Sequence, residues 1–540
     1  MAVRGTSHSM AYHMIEATTA GAPTSAHAAR QQAYMLCLFV WVATLQALSW
    51  TPLAAVGAEV AEKFFPGVTA NEILQQLNWG PIVQMVVTPV ALAIITNKNG
   101  LSRSLRAACV LATASCLLRL VPSILFRSSD AARLMLQLAG MACGASAPFI
   151  QGAPSHFSKL WFPPEQRSRA TAAAFLGTPL GLSFGYALPA LLVGDDGNML
   201  PLFLVETLLC VPGLLAVALY CPDRPRDVWW LHPTSAAPPP RANKAWRREL
   251  VDEVAEQLRL LRTLLRSPSF VLVACACAIA NGPYQAWVGA LPTLLHSGDL
   301  SWRTLDAFSL GSSVTYALGA VIGGDIADRH FQRRLRSLLV LLYGSSLAIF
   351  VALTLALPSP WWPAADRAPP PPPALPSGVH TPPSAPSAPA APPPPAAPFS
   401  LPLAVLAALA GFSGLLVGGT SPASLELAAQ ISYPVPEGLS ANLITNVLTQ
   451  SFTIVFLAVL QGPLPDTAST AAICLGFGLC LLALLPVRER YHRLDAERSR
   501  LLDVAQGSST PPPAAATAAD PSSYLSPTHL PCQPVAAPSQ

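Results

Sequence analysis

Charge is scarce in this chain. Only 11% of its 540 residues are Asp, Glu, Lys or Arg, against about 25% in soluble domains, and that deficit excludes a large soluble fold. The 32 basic and 28 acidic residues leave a formal net charge of +4, and nothing in its distribution supports nucleic-acid binding. Reactive clusters are lacking too. The 11 cysteines lie mostly inside apolar stretches, at Cys37, Cys109, Cys116, Cys143, Cys210, Cys275, Cys277, Cys474 and Cys480. They read as small packing residues rather than a disulfide framework, and Cys275 and Cys277 stand too close for a CxxC pair. No metal site and no cofactor are expected. The apolar stretches bring no His, Asp, Glu or Ser groups to one shared depth, so the chain is not expected to be an enzyme. Residues 1–30 lack an apolar h-region, so no cleavable signal peptide is expected. They read as a disordered tail, with an organelle transit peptide as the other reading of their acid-poor, hydroxyl-rich makeup.

What the chain has in abundance is apolar length. Hydrophobic residues make up 52% of it and the mean hydropathy is +0.44. A hydrocarbon core of roughly 30 Å needs about 20 apolar residues in a helix. Twelve stretches are long enough, at 32–56, 74–96, 105–126, 131–153, 169–193, 200–220, 268–295, 306–326, 336–358, 400–424, 438–461 and 467–487. Leu338–Leu357 and Ala468–Val487 carry no charge at all. Only a helix satisfies its own backbone in such surroundings, so the fold class expected is an all-α membrane protein with 12 transmembrane helices in two six-helix halves.

The connections alternate in charge. Lys98, Arg103, Arg106, Lys159, Arg167, Arg169, Arg329, Arg333, Arg334 and Arg336 fall on one side, whereas the other holds Lys63, Arg127, Arg133, Arg303 and Arg367 among acids such as Glu59, Glu62, Asp195, Asp196, Asp299 and Asp466. Basic loops stay in the cytosol, which puts both termini there. The chain divides into a cytoplasmic tail (1–31), a first half (32–220), a linker (221–267), a second half (268–487) and a second tail (488–540). In the linker, Trp246, Leu250, Val251, Val254, Leu258, Leu261 and Leu265 share a helical face flanked by Arg247, Arg248, Arg259, Arg262 and Arg266. This is a helix lying in the membrane interface or a soluble linker helix. The Pro/Ala/Ser tract at 359–399 cannot pack a core and reads as an extended outer loop. Glu497 with Leu501 and Leu502 matches an acidic dileucine spacing, a pattern that also arises by chance on amphipathic helices.

Six plus six helices around a long linker is the plan of two-half transporters, with the solute site between the halves near mid-membrane. Gly324-Asp325-Ile326-Ala327-Asp328-Arg329, with Arg333 and Arg334 following, closes the eighth span and resembles a loop motif of the major facilitator superfamily. An acid at a helix end beside arginines suits a charge latch, so Asp328, Arg329, Arg333 and Glu426 are gating candidates; plain positive-inside topology with a solvated acid is the other reading. The matching first-half loop has Asn97 where an acid is expected, so a latch there would be weaker.

Ala153-Pro154-Ser155-His156-Phe157-Ser158-Lys159-Leu160-Trp161-Phe162 and Tyr433-Pro434-Val435-Pro436-Glu437-Gly438 resemble solute carrier family 49. That family holds the feline leukaemia virus subgroup C receptor-related transporters and the disrupted-in-renal-carcinoma type, and the resemblance spans roughly 33–490. Asn78-Trp79-Gly80-Pro81-Ile82 and Tyr284-Gln285-Ala286-Trp287 look closer to the second branch. The resemblance implies a transporter of choline, ethanolamine or haem, or of a vitamin of the pyridoxine type moved with protons. It leaves open the plasma membrane or an endolysosomal or other organelle membrane. A non-transporting receptor or nutrient sensor keeps the same fold. The expected partners are a small-molecule substrate and the lipid bilayer, with the chain a monomer.

Trp50, one turn after Gln46, and Tyr284, with Trp287 three residues on, resemble positions where the receptor-related transporters wall a quaternary ammonium with aromatic rings, and cation–π attraction supplies the reason. Tryptophans near span ends also serve as interface anchors. Asn442, Asn446 and Gln450 recur at four-residue spacing and form one polar stripe, able to contact solute or to bond a neighbouring helix. In the fourth span the stretch Ala147-Pro148-Phe149 stands where that branch has a glutamine, which puts choline-type coordination in question. Glu206, Glu426 and Arg119 are the most deeply placed ionisable groups, and Glu206 is the proton-carrier candidate unless it is paired with another span. His156 titrates near neutrality or is held by loop hydrogen bonds. Gly177, Gly181 and Gly185 allow close helix contact.

Overall fold

The computed structural model describes residues 26–96, 100–163, 166–225, 246–294, 302–356, 403–460, 466–495 and 499. The Pro-rich tract, the tail before residue 26, residues 97–99, linker residues 226–245 and the dileucine spacing at Glu497 lie outside the described residues.

The described chain is helical throughout. The first half holds α1 (Ala26–Leu48), α2 (Pro52–Ala55), α3 (Ala58–Phe64), α4 (Ala70–Thr96), α5 (Gly100–Leu125), α6 (Asp130–Gln151), α7 (Pro154–Trp161), α8 (Arg167–Phe175), α9 (Gly177–Leu192) and α10 (Leu200–Leu219). After the linker helix α11 (Trp246–Leu265) come α12 (Pro268–Leu294), α13 (Trp302–His330), α14 (Leu335–Ala356), α15 (Leu403–Ser432), α16 (Glu437–Asn442), a π-helical turn (Leu443–Leu448), α17 (Thr449–Leu460) and α18 (Asp466–Leu484). Among the described residues, 11 helical stretches are long and apolar enough to cross a membrane, and Ala468–Leu484 of α18 is a shorter apolar helix. Together they form the expected all-α bundle of twelve spans in two six-helix halves. Leu191, Leu219 and Leu355 are 78%, 83% and 72% exposed, a surface suited to lipid rather than water.

Three spans depart from uninterrupted helices. The first ends at Leu48 rather than 56, and Pro52 opens the new helix α2, because proline suits a first helical position and cannot continue a helix. The fifth consists of α8 and α9 abutting at Leu176. The eleventh contains the π-helical turn, an element that often marks functional sites.

Small residues set the helix spacing. Gly177 and Gly181 lie against α1, where a Cβ would meet Ala43 and the Thr44 carbonyl. In the second half Gly319 of α13 sits on the backbone of Leu415, and Gly418 of α15 on that of Tyr316. Close backbone approach of this kind holds helices together where lipid gives no hydrophobic drive. One buried apolar cluster runs through the second half and draws in Ala54, Ala55, Leu77, Leu92 and Tyr186 from the first. The linker helix packs Leu264 and Leu261 against that cluster and leaves Val251, Leu258 and Leu265 more than half exposed.

Candidate functional site

We call the end of the bundle where α1 begins and α18 finishes the near end. The halves meet along a seam with two adjoining layers, one aromatic and one of amides.

Trp50 carries the aromatic layer. The turn after Leu48 sets its indole between the halves: a Cβ on Gly80 of α4 would lie 2.5 Å from Trp50 Nε1, and one on Gly289 of α12 would lie 3.7 Å from Trp50 Cη2. Among the described residues the indole N–H has no hydrogen-bond partner. The same Gly289 position is 3.9 Å from the Tyr186 hydroxyl of α9. Behind it Tyr284 stacks on Tyr316 at 6.2 Å and 14°, and Trp287 meets Phe350 edge to face at 5.2 Å. Tyr284 and Trp287 are buried, with 3% and 6% exposed. Their region also holds a polar group, in which Tyr316 shares a 2.7 Å hydrogen bond with Ser421, and Ser421 donates to Asn281.

The amide layer starts at Gln46 of α1, four residues before Trp50. Gln151 Nε2 donates to Gln46 Oε1 at 3.2 Å, and Gln84 Nε2 donates to Gln151 Oε1 at 3.0 Å and to Asn446 Oδ1 at 2.8 Å. Asn446 Nδ2 in turn donates to Asn442 Oδ1 at 2.7 Å, and Asn442 Nδ2 to the Gly152 carbonyl at 3.2 Å. Five amides thus form one chain from α1 through α6 and α4 to the eleventh span, crossing between halves twice. Gln450 stays outside it: its amide donates to the Thr445 carbonyl, five residues back across the widened turn. The four-residue stripe therefore contributes two of its three members. Gln84 and Gln151 had no local signal, since a lone amide in an apolar run says nothing of its neighbours. The fourth span does present a glutamine, Gln151, two residues beyond the Ala147-Pro148-Phe149 stretch.

A buried ion pair lies beside the seam. Arg119 of α5 and Glu206 of α10, each 1% exposed, pair at 3.2 Å. Arg119 also donates to the Ser49 carbonyl and to Ser115 Oγ, which ties the pair to the turn that aims Trp50.

At the near end, charged pairs tie the second half to the chain that follows it. Arg329 meets Asp325 at 2.8 Å, Arg333 meets Asp495 at 2.6 Å, and Arg493 reaches Glu437 at 2.9 Å and Glu426 at 3.7 Å. Asp328 is exposed nearby. The pairs made by Asp495 and Arg493 staple the chain after α18 onto the turn that follows α13 and onto α15 and α16. Tyr491 accepts from the Leu335 N–H, and Gln430 accepts from the Leu494 N–H. At the far end the halves meet where Arg303 of α13 pairs with Asp195 at 2.7 Å and donates to the Val193 carbonyl at 3.1 Å. His156 lies in α7, and burial holds its imidazole below the usual value of 6.5 against the opposing charge of Asp223. An apolar groove of about 680 Å³ beside Leu475, Leu479 and Leu482 is formed by lipid-facing leucines and does not belong to the seam.

Comparison with known proteins follows the same lines. A family model described as Major Facilitator Superfamily matches residues 80–366. The chain is 25% identical over 500 residues to the solute carrier family 49 member 4 homolog of Xenopus laevis, covering 88% of this chain and 94% of that protein. It is 23% identical over 376 residues to the human choline/ethanolamine transporter FLVCR2, covering 66% and 60%, and 26% identical over 323 residues to an uncharacterized MFS-type transporter of Caenorhabditis elegans, covering 58% and 45%. The chain spans about half the length of these last two relatives. Among solved structures, a D-xylose-proton symporter superposes with a TM-score of 0.55 at 14% identity, covering 84% of this chain and 98% of that one. That likeness speaks to the fold alone.

Proposed function

The chain belongs to the major facilitator superfamily, and from that premise we propose that it is a secondary transporter that moves a small organic amine or vitamin, of the choline, ethanolamine or pyridoxine type, by alternating access. The observation that carries this reading is Trp50, set between Gly80 of one half and Gly289 of the other, four residues from the start of an amide chain that both halves share. An aromatic wall with a few convergent polar groups is the usual make-up of a small-molecule site. Trp50, Tyr284 and Trp287 supply the wall, and Gln46, Asn442, Asn446 and, by rotation of its amide, Gln450 supply the polar contacts. Names of similar proteins lend support, since several are choline/ethanolamine transporters.

Opening requires breaking contacts at one end while keeping those at the other. Arg329, Arg333 and Glu426 hold the near end of the second half as a rigid unit, with Asp328 exposed beside them as the remaining gating candidate, and the bonds from Gln84 to Asn446 and from Asn442 to Gly152 close it against the first. Arrival of a proton on Glu206 would loosen the 3.2 Å pair to Arg119 and with it the grip on Ser49, so coupling reaches Trp50 through one residue. The near end faces the cytosol, where its basic loops belong, and the linker helix rests its exposed leucines in the interface. The protein acts as a monomer, binds no nucleic acid and performs no covalent chemistry.

The test is uptake by reconstituted protein of labelled choline, ethanolamine and pyridoxine, each with and without a pH gradient. Saturable uptake of at least one is expected, lost in Trp50→Ala and in Tyr284→Ala at unchanged folded amount. Unimpaired uptake in both variants would remove these rings from the site.

A further inference from the structure

Asp306 is a buried carboxylate of the seam that carried no signal in the sequence. The eighth span was expected to begin at 306, which would put this residue at its edge, whereas α13 begins four residues earlier at Trp302. Asp306 is 0% exposed, and among the described residues neither of its carboxylate oxygens has a hydrogen-bond partner. Glu206 makes an instructive contrast, being equally buried but held by Arg119 at 3.2 Å. Arg303, one turn before Asp306, is turned away to Asp195 and the Val193 carbonyl. A buried charge without a partner is unfavourable by several kcal/mol, so this carboxylate is placed to receive a cation.

Its surroundings place that cation. Ser309, three residues along α13, donates to the Val288 carbonyl at 2.9 Å and pins this stretch to α12. The next residue of α12 is Gly289, whose bare face looks onto the Trp50 ring and the Tyr186 hydroxyl. Tyr186 is itself an electrostatic neighbour of Asp306. Carboxylate, hydroxyl and indole thus converge from α13, α9 and the turn after α1 around a position that has no side chain.

We propose that Asp306 is the counter-ion of the transported solute, pairing with the ammonium of a small organic cation whose other side rests on the Trp50 ring. This rests on the amine reading above and sharpens it: the solute carries positive charge, and an acid-bearing solute such as haem is repelled. Ring and carboxylate act together, because cation–π attraction strengthens when the site is shut from water, and Asp306 supplies the charge specificity that a ring alone lacks.

The experiment measures binding to the purified full-length protein of choline and of its neutral carbon isostere, 3,3-dimethylbutan-1-ol, which has the same shape without the charge. Wild type is expected to bind choline about thirtyfold or more tightly than the isostere. In Asp306→Asn that preference should shrink to about threefold, the share left to the ring, and Asp306→Glu should restore most of it. Full preference for choline in Asp306→Asn would overturn the assignment while leaving the amine reading intact. Wild type that binds neither choline nor ethanolamine would overturn the amine reading and this assignment with it. Should Asp306→Asn not accumulate as folded protein, the wild-type ratio decides, and equal binding of the two ligands refutes a charged site.

Discussion

Asn442 and Asn446 supply the two amide bonds that close the near end, and their joint replacement measures what the seam is worth. Asn446 accepts from Gln84 at 2.8 Å and Asn442 donates to the Gly152 carbonyl at 3.2 Å. Interhelical hydrogen bonds in membranes average about 0.6 kcal/mol each, so removing both shifts the closed-to-open equilibrium by about 1.2 kcal/mol, or roughly sevenfold. On the Gln84 side one N–H keeps its 3.0 Å bond to Gln151, while the other, given to Asn446, loses its acceptor. Ser451 sits at the same seam, its hydroxyl 3.3 Å from Met85 Sδ, so a cysteine at 451 reports opening. In a Cys37→Ser background, Asn442→Ala/Asn446→Ala should raise the alkylation rate of that cysteine by about sevenfold while the closed state dominates. A rate within about twofold of the parent would mean that the amide chain does not hold the halves shut, and the gating account would fail.

Three further outcomes follow from named contacts. Arg119→Met leaves Glu206 buried without its partner and should lower folding stability by about 3–5 kcal/mol, read as a large fall in melting temperature; Glu206→Gln should be milder, since Arg119 keeps Ser49 and Ser115. An unchanged melt in Arg119→Met would contradict the pair. Gly80→Ala drives a methyl to 2.5 Å from Trp50 Nε1, and the resulting displacement should cut uptake about tenfold or more with assembly intact; normal uptake would show that the indole does not need its position. Because burial lowers the His156 pKa below 6.5, the unfolded chain takes up its proton first, so His156 contributes stability above that pH and loses it as pH falls. Melting compared at about pH 7.5 and 5.5 should show a smaller acid loss in His156→Gln, and an identical loss would place the acid sensitivity elsewhere.

The sequence was informative wherever the signal was local. Runs such as Leu338–Leu357 fixed the spans because the bilayer sets their length, and the glycines at 177 and 181 showed their contact face through spacing alone, which the packing against Ala43 and Thr44 bears out. Gln46 and Trp50 could be paired because they lie four residues apart. What could not be read was which distant residue completes each group. Arg119 and Glu206 both stood out as ionisable groups in apolar stretches, but their pairing joins positions 87 apart. Gln450 left its stripe because a π-helical turn altered the register ahead of it. Asp306 escaped notice because hydropathy blurs the first turn of a span, where a polar residue looks like loop.

The most direct test of alternating access is counterflow: proteoliposomes loaded with unlabelled choline or pyridoxine and diluted into trace label. The account predicts that label transiently rises inside above its equilibrium level, at a rate that collapses in Trp50→Ala. Label that binds but never accumulates would mark a protein that recognises its solute without carrying it across.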